Sequence, residues 1–246
     1  MMRSFLSVLL MMFFFVGAYA CFDVYLFQEK GSMVYPKNTL AVEAFGEYSY
    51  NSITSPNEDA FLTDGRIFYG ISEKFSVQIG FGSEEKSRGE FAFDAVSASG
   101  TYNIIKRRNN SYSMDGILAC HGNTKNGSYS LEISVPNIFR TRKFVIVAHP
   151  VIELLKENKF DATVGAHAGI FRAFNNGTVL GIGAEYRSGQ GGPYFSDRVT
   201  EGEAAASLFL GAMIGKNLFL QNELAKGLAN SRDFGFALTL KGVFKM

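Results

Sequence analysis

The chain has 246 residues and a mass of 27.1 kDa, which suits one domain or two small ones. Charged residues make up only 19% of it and the formal net charge is +1, so it has neither the basic field that binds a nucleic acid nor an acidic tail. Two cysteines exclude a disulfide scaffold and a zinc site built on four of them, and 47% hydrophobic residues exclude a disordered chain.

Residues 1–20 predict a secretory signal peptide. Arg3 gives a short basic end, residues 5–16 form a largely apolar run, and residues 18–20 form a small-x-small cleavage site directly before Cys21. A membrane anchor is the alternative, but the apolar run is shorter than the ~20 residues of a spanning helix. Because Cys21 would become the new N-terminus, lipidation of this cysteine stays open.

Beyond the signal peptide, apolar and polar residues alternate with period two along almost the whole chain. Residues 234–241 show the pattern, with phenylalanine and leucine at even positions and glycine, alanine, threonine and lysine at odd ones. Because side chains alternate across a pleated strand, such a segment has one apolar and one polar face. Within the fourth segment, Ser97 and Asp94 lie on opposite phases, which predicts a β-bulge. The twelve alternating segments are residues 38–50, 65–72, 75–83, 90–105, 111–120, 127–135, 143–155, 160–172, 178–187, 203–214, 217–228 and 233–245.

The connections between these segments alternate between short turns and mostly longer polar loops. The turns are residues 72–74, 106–110, 137–142, 175–177 and 215–217, and the longest loops are residues 51–64 and 188–202. Tight periplasmic turns, wider external loops and an even strand number are typical of outer-membrane barrels. The sequence therefore predicts an all-β chain, a single antiparallel up-and-down transmembrane β-barrel of about twelve strands after a cleaved signal peptide.

Residues 21–37 precede the barrel domain, which covers residues 38–246. From residue 22 onward they do not fit the hairpin register. An N-terminal periplasmic arm, a plug in the lumen and an extra partial strand are the three interpretations that the sequence leaves open.

Alternation alone does not decide which face points outward, but three features favour the apolar one. The polar face is rich in glycine, alanine and serine with interspersed charges, and tyrosines such as Tyr48, Tyr69 and Tyr186 lie near segment ends, as in interfacial girdles. Five prolines and 19% charged residues are few for a soluble sandwich. We therefore expect a barrel in the lipid bilayer of a bacterial outer membrane. A soluble periplasmic ligand-binding barrel is the alternative.

Two stretches carry a resemblance to a known class of protein. Residues 69–83, YGISEKFSVQIGFGS, and residues 213–226, MIGKNLFLQNELAK, resemble the strand–turn–strand units of small bacterial outer-membrane porin-like proteins. The resemblance is architectural, covers nearly the whole chain and singles out no member. It implies insertion by the outer-membrane assembly machinery. The C-terminus departs from the pattern, because many such barrels end on an aromatic residue, whereas here Lys245 and Met246 follow Phe244.

With the apolar face outward, the charged residues of the other face would line a lumen. The expected pore-lining residues are Glu43, Glu47, Arg66, Asp115, Glu132, Asp161, His167, Glu185, Arg187, Glu223 and Lys241. When Asp94 and Glu153 are added, carboxylates outnumber bases nine to three on this phase, which favours cations. We predict a small porin or passive channel for small solutes or ions, without a cofactor. A closed structural or surface-binding barrel acting through its external loops is the alternative.

An outer-membrane lipid-modifying enzyme is the second alternative, because a histidine beside a carboxylate can act as a general base. His149 and His167 lie on the inward phase of adjacent segments, where Asp161 or Glu153 could pair with His167. No serine is close to a histidine in the sequence, and the three histidines, with His121, lack metal-ligand spacing. We therefore expect no catalytic residue and no metal site.

Overall fold

The computed structural model describes residues 23–29, 31–52, 55–87, 90–107, 109–125, 127–156, 160–174, 177–188, 202–231 and 233–246. The signal peptide predicted at residues 1–20, Cys21 and most of the loop predicted at residues 188–202 lie outside this part. No helix in the described ranges is long and apolar enough to cross a membrane.

One short helix, α1 (Val24–Glu29), precedes the strands of the described residues. The strands are β1 (Thr39–Ser52), β2 (Ser55–Ser72), β3 (Phe75–Ser87), β4 (Glu90–Lys106), β5 (Tyr112–Asn123), β6 (Tyr129–Ser134), β7 (Asn137–Arg140), β8 (Phe144–Lys156), β9 (Phe160–Ala173), β10 (Thr178–Arg187), β11 (Glu203–Ile214), β12 (Leu218–Ala229) and β13 (Phe234–Lys245).

All strand pairs are antiparallel, and β1 pairs with both β2 and β13, which closes the sheet into a barrel. Both β6 and β7 lie between β5 and β8 and pair with each of them, so together they fill one position. The barrel thus has twelve strand positions, and the predicted all-β up-and-down fold is confirmed. The end at which β1 begins carries the turns at residues 73–74 and 215–217 and is here called the turn end, opposite the loop end.

The basic turn predicted at residues 137–142 is wrong over most of its length, because β7 occupies Asn137–Arg140. Pro136 separates it from β6, since proline has no N–H group for a ladder hydrogen bond. Beyond this break the alternation continues, with Ile138 buried and Phe139 exposed. An interrupted strand therefore looks like a strand followed by a turn in the sequence.

The polar loop predicted at residues 51–64 is also mostly strand. β1 continues to Ser52 and β2 begins at Ser55, and these two residues are paired. Residues 84–87, between the third and fourth predicted segments, likewise extend β3. Where a strand extends beyond a bilayer, both of its faces meet water. Apolar and polar residues then need not alternate, so the sequence pattern no longer identifies the strand.

The β-bulge predicted in β4 is present. Gly82 of β3 pairs with Ala95, and the next residue, Ser83, pairs with Phe93, which leaves Asp94 as the extra residue. One extra residue changes which alternate positions of the strand face inward. The sequence shows this change, because Asp94 and Ser97 lie on opposite phases of the alternation.

The barrel is apolar outside and polar inside. Large hydrophobic side chains such as Ile79 and Ile182 are 48% and 56% exposed, whereas Glu43, Glu223 and Lys241 are 7%, 2% and 3% exposed. A protein folded in water shows the reverse distribution, so this outer surface is suited to lipid. The prediction that the apolar face points to the bilayer is confirmed.

Residues 23–29 and 31–38, here called the N-terminal segment, contact inward-facing side chains in the turn-end half of the barrel. Val24 of α1 is fully buried in an apolar cluster formed by the wall. The wall residues are Ile138, Val145, Val147, Phe171, Val179, Phe209 and Phe219. Leu26 packs in a second cluster with Tyr35 and Ala41. Apolar side chains at this end of the interior thus face the N-terminal segment.

The backbone of the N-terminal segment passes directly over Gly70 of β2. A Cβ atom at this position would lie 1.8 Å from the carbonyl oxygen of Pro36 and 2.7 Å from that of Tyr35. The Gly70 carbonyl oxygen also accepts a hydrogen bond from the Asn38 N–H at 2.8 Å. Only glycine leaves room for a backbone this close.

We expect Gly70→Ala to lift the N-terminal segment from the wall, because the new methyl group would overlap main-chain atoms. Overpacking should destabilise the packed position of the segment by about 1–3 kcal/mol. The rate of trypsin cleavage after Lys37 in the folded chain, measured by mass spectrometry, should therefore rise about tenfold or more. Gly46→Ala is the matched control, since a Cβ atom there would have no heavy atom within 4 Å beyond its own chain neighbours. Equal cleavage rates in both variants would contradict the close approach.

Candidate functional site

The interior contains a chain of alternating charges, here called the ion-pair chain: Asp23, Lys241, Glu43, Arg66 and Asp64. Lys241 Nζ contacts Asp23 Oδ2 and lies 2.8 Å from Glu43 Oε2. Arg66 Nη1 lies 3.4 Å from Glu43 Oε1, and its Nε lies 2.6 Å from Asp64 Oδ2. The register explains the order, because Glu43 of β1 pairs directly with Lys241 of β13 and with Arg66 of β2. Opposite charges at directly paired positions attract each other.

Asp23, at the start of the N-terminal segment, has one partner on the barrel wall and one within the segment. Besides its ion pair with Lys241, it accepts a hydrogen bond from the Tyr35 hydroxyl at 2.8 Å. Burial, together with the carboxylate of Asp23, raises the pKa of Tyr35 well above its usual value, so the phenol stays protonated and remains a donor. Lys241 Nζ also lies 5.7 Å from the ring centre of Tyr35 and 5.0 Å from that of Phe68.

Asp115 of β5 forms the second attachment of the N-terminal segment and is fully buried. Its carboxylate accepts hydrogen bonds from Ser32 Oγ at 3.0 Å and from the Met33 N–H at 2.6 Å. The barrel wall adds donors from Asn103 Nδ2 and Ser113 Oγ. The N-terminal segment therefore covers this predicted pore-lining residue, and the carboxylate joins the segment to the wall.

A cavity of about 120 Å³ lies between the N-terminal segment and the ion-pair chain. This volume is enough for a few water molecules. The lining combines residues of the segment with polar and charged side chains of the wall. Members of this lining are Asp23, Met33, Tyr35, Glu43, Arg66, Gln78, Ser99, Gln221, Thr239 and Lys241. The cavity brings together Glu43, Arg66 and Lys241, three of the predicted pore-lining residues.

The opposite wall carries a second group of charges. Glu132 of β6 pairs directly with Glu153 of β8, and Arg187 Nη2 of β10 lies 3.6 Å from Glu153 Oε2. Gly165 of β9 pairs directly with Arg187 and has no side chain to stand between the guanidinium and Glu153. Arg187 therefore offsets part of the negative charge of the two carboxylates.

On the same wall, three polar residues form a row across β8, β9 and β10. His149 pairs directly with His167, and His167 pairs directly with Glu185. The two ring centres are 5.6 Å apart, and His167 Nδ1 lies 3.9 Å from Glu185 Oε2. The sequence suggested Asp161 or Glu153 as the partner of His167, whereas the register places Glu185 beside it.

The remaining predicted pore-lining residues are Glu47, Glu223 and Asp161. Glu47 of β1 and Glu223 of β12 both pair directly with Ala237 of β13, one on each side, and both are buried. Since neighbouring strands lie about 4.8 Å apart, the two side chains enter the interior roughly 10 Å from each other. Asp161 belongs to β9, but its side chain lies outside the described part of the chain.

Asp23, Asp64 and His149 belong to these clusters, although none is in the predicted pore-lining set. Asp64 lies two residues before Arg66 on the same face of β2, a signal hidden by the assignment of residues 51–64 to a loop. Asp23 and its partner Lys241 are 218 residues apart, and no periodicity connects them. The alternation places His149 on the inward face of its strand, but its neighbours can be identified only from the register between strands.

The chemistry of this interior is mainly electrostatic. Within the described ranges, no three His, Cys, Asp or Glu side chains are grouped to hold a metal ion. Carboxylates, a guanidinium group and an ammonium group instead lie along a narrow polar interior, where they act on ions and water.

No protein-family model and no curated protein matches the sequence. The COG4313 outer membrane channel from Pseudomonas putida F1 is similar in structure, with a TM-score of 0.65 and 11% identity over 88% of this chain and 98% of that chain. The KdgM porin in complex with disordered oligogalacturonate has a TM-score of 0.60 and 9% identity over 83% of this chain and 99% of that chain. The translocator domain of autotransporter NalP from Neisseria meningitidis has a TM-score of 0.56 and 8% identity over 88% of this chain and 91% of that chain. This chain therefore has the fold of bacterial outer-membrane β-barrels, and its apolar outer surface is suited to a lipid bilayer.

Proposed function

We propose that this protein is a narrow passive channel for small solutes or ions, with a lumen that favours cations. The observation that carries the proposal is the excess of buried carboxylates inside a barrel whose outer surface is apolar. The fold shared with structures named as an outer membrane channel and a porin supports a channel rather than a purely structural barrel.

The cation preference follows from how Lys241, Arg66 and Arg187 are placed. Lys241 contacts two carboxylates, Arg66 contacts two, and Arg187 contacts Glu153. The interior holds further carboxylates on other strands. These are Glu47, Asp115, Glu132, Glu185 and Glu223. A lumen with more carboxylates than bases has a negative potential, which attracts cations and repels anions.

The N-terminal segment narrows the turn-end half of the proposed channel. Val24 and Leu26 pack among apolar side chains of the interior, while Asp23 and the backbone at Met33 are attached to the wall. In this proposal the N-terminal segment acts as a plug that leaves a narrow path beside the ion-pair chain. Solutes larger than small ions would then need the segment to move.

Selectivity measurements on variants test the cation preference. Glu47→Gln combined with Glu223→Gln removes two interior charges without changing side-chain volume, so the cation-to-anion permeability ratio should fall towards one. Reversal potentials in a KCl gradient across a planar bilayer give this ratio. Glu73→Gln in an exposed turn is the control and should leave it unchanged. Anion preference in the parent, or an equal shift in the control, would contradict the proposal.

A closed barrel that acts through its external loops is the second candidate function. Glu223 and Lys241 face the interior of the barrel, where an open lumen would expose them to water, yet they are only 2% and 3% exposed. This low exposure favours a closed barrel. Small barrels can be filled by their own side chains. A chain that inserts into bilayers without conducting would support this candidate.

A further inference from the structure

The row formed by His149, His167 and Glu185 lies on β8, β9 and β10, away from the ion-pair chain on β13, β1 and β2. Both ring nitrogens of His149 are buried without a hydrogen-bond partner, and its side chain is 7% exposed. A buried polar group without a partner is unfavourable, and such groups in a folded protein require an explanation. An imidazole with two unused nitrogens, facing a second imidazole, indicates a ligand that both rings can share.

The distance between the two rings is suited to one metal ion. A Zn–N bond is about 2.0–2.1 Å, so two imidazoles on one tetrahedral ion have ring centres roughly 5 Å apart. The ring centres of His149 and His167 are 5.6 Å apart, with planes inclined at 43°. Small side-chain rotations close this difference, because both residues already occupy directly paired backbone positions.

Glu185 occupies the position of a residue that orients a metal-binding histidine. Its Oε2 lies 3.9 Å from His167 Nδ1, beyond hydrogen-bond distance, and a small side-chain rotation would let a proton on Nδ1 reach the carboxylate while Nε2 keeps its lone pair. A carboxylate behind a ligating histidine fixes its tautomer and raises its basicity. The side chains of His167 and Glu185 are 19% and 25% exposed, so solvent reaches the row.

The wall beside His167 carries three inward-facing glycines. Gly165 and Gly169 flank His167 along β9, and Gly183 precedes Glu185 on β10. None of these positions carries a side chain that would cover the two imidazoles. The buried nitrogens of His149 become accessible to an ion when the side chains around them shift.

We propose that His149 and His167 bind one divalent transition-metal ion inside the barrel, with Glu185 orienting His167. No third ligand is grouped with them in the described residues, so water completes the coordination. Two imidazoles select ions such as Zn²⁺ and Ni²⁺, whereas Mg²⁺ and Ca²⁺ prefer oxygen ligands. The site goes beyond the proposed channel function and does not depend on it.

Titration calorimetry of the folded, tag-free chain in detergent with Zn²⁺, Ni²⁺ and Mg²⁺ tests the proposal. Cys21→Ser and Cys120→Ser in the background remove both thiols. The parent should bind one Zn²⁺ or Ni²⁺ and no Mg²⁺, and His149→Asn and His167→Asn should each abolish this binding. Glu185→Gln should weaken it by about 10-fold. The chain has only three histidines, so His121→Asn is a matched control that should bind as the parent does.

Several outcomes would overturn the site. A parent that binds neither ion, binding that persists in His167→Asn, or an equal loss in His121→Asn would each do so. Heat-modifiable gel mobility shows that each variant is folded, and the partly exposed His167 carries the test alone where His149→Asn does not fold. Calorimetry needs no conductance, so failure of the metal site and failure of the channel are distinguishable.

Discussion

Lys241→Met is expected to lower the free energy of unfolding by about 3 kcal/mol. Lys241 is 3% exposed and contacts Asp23 and Glu43, so its removal leaves two carboxylates without their shared ammonium group. Removing one partner of a buried ion pair costs about 3–5 kcal/mol. We expect the lower end of this range, because Glu43 keeps Arg66 at 3.4 Å and Asp23 can leave the interior with the N-terminal segment.

Urea unfolding of the chain in lipid vesicles measures this change. Lys226→Met is the matched control, since Lys226 pairs with Asp233 at the loop end and these side chains are 65% and 52% exposed. An exposed pair contributes at most about 1 kcal/mol. Equal destabilisation by the two substitutions would contradict the account of the ion-pair chain.

Asp115→Ala is expected to increase the fraction of time that the proposed channel spends in a wide, conducting state. Asp115 accepts hydrogen bonds from Ser32 and from the Met33 N–H, and both are lost together with the carboxylate. Losing about 2 kcal/mol of the free energy that holds the N-terminal segment on the wall shifts the equilibrium between bound and released segment by roughly 30-fold. Single-channel recordings should show more frequent large openings than the parent shows.

Asp59→Ala provides the comparison for this experiment. Asp59 also accepts a side-chain hydrogen bond, from the Tyr48 hydroxyl at 2.6 Å, but it is exposed near the loop end and does not touch the N-terminal segment. Its openings should match those of the parent. If Asp115→Ala leaves the recordings unchanged while the barrel stays folded, the N-terminal segment is not the plug.

The strands were predictable because a bilayer imposes alternation. Wherever one face meets lipid and the other meets the interior, as in residues 234–241, the sequence has period two. The prediction fails in two places: the β1–β2 hairpin extends over residues 51–52 and 55–64, which the sequence assigned to a loop, and β7 follows Pro136 as a strand of only four residues.

The composition of the site was predictable, but its arrangement was not. Inward phase alone identified Glu43, Arg66 and Lys241, since it depends only on alternation along one strand. Their contacts depend on the register between strands, and a shift of one residue would reverse which residues face each other. The plug proposal depends on contacts such as that of Asp23 with Lys241, which join distant parts of the sequence and leave no local pattern.

Planar-bilayer recording of the refolded chain, residues 21–246, shows directly whether this barrel conducts. We expect discrete openings with a reversal potential on the cation side in a KCl gradient. A chain that shows heat-modifiable folding and inserts into the bilayer, yet stays electrically silent both as the parent and as Asp115→Ala, would contradict this expectation and leave a closed barrel.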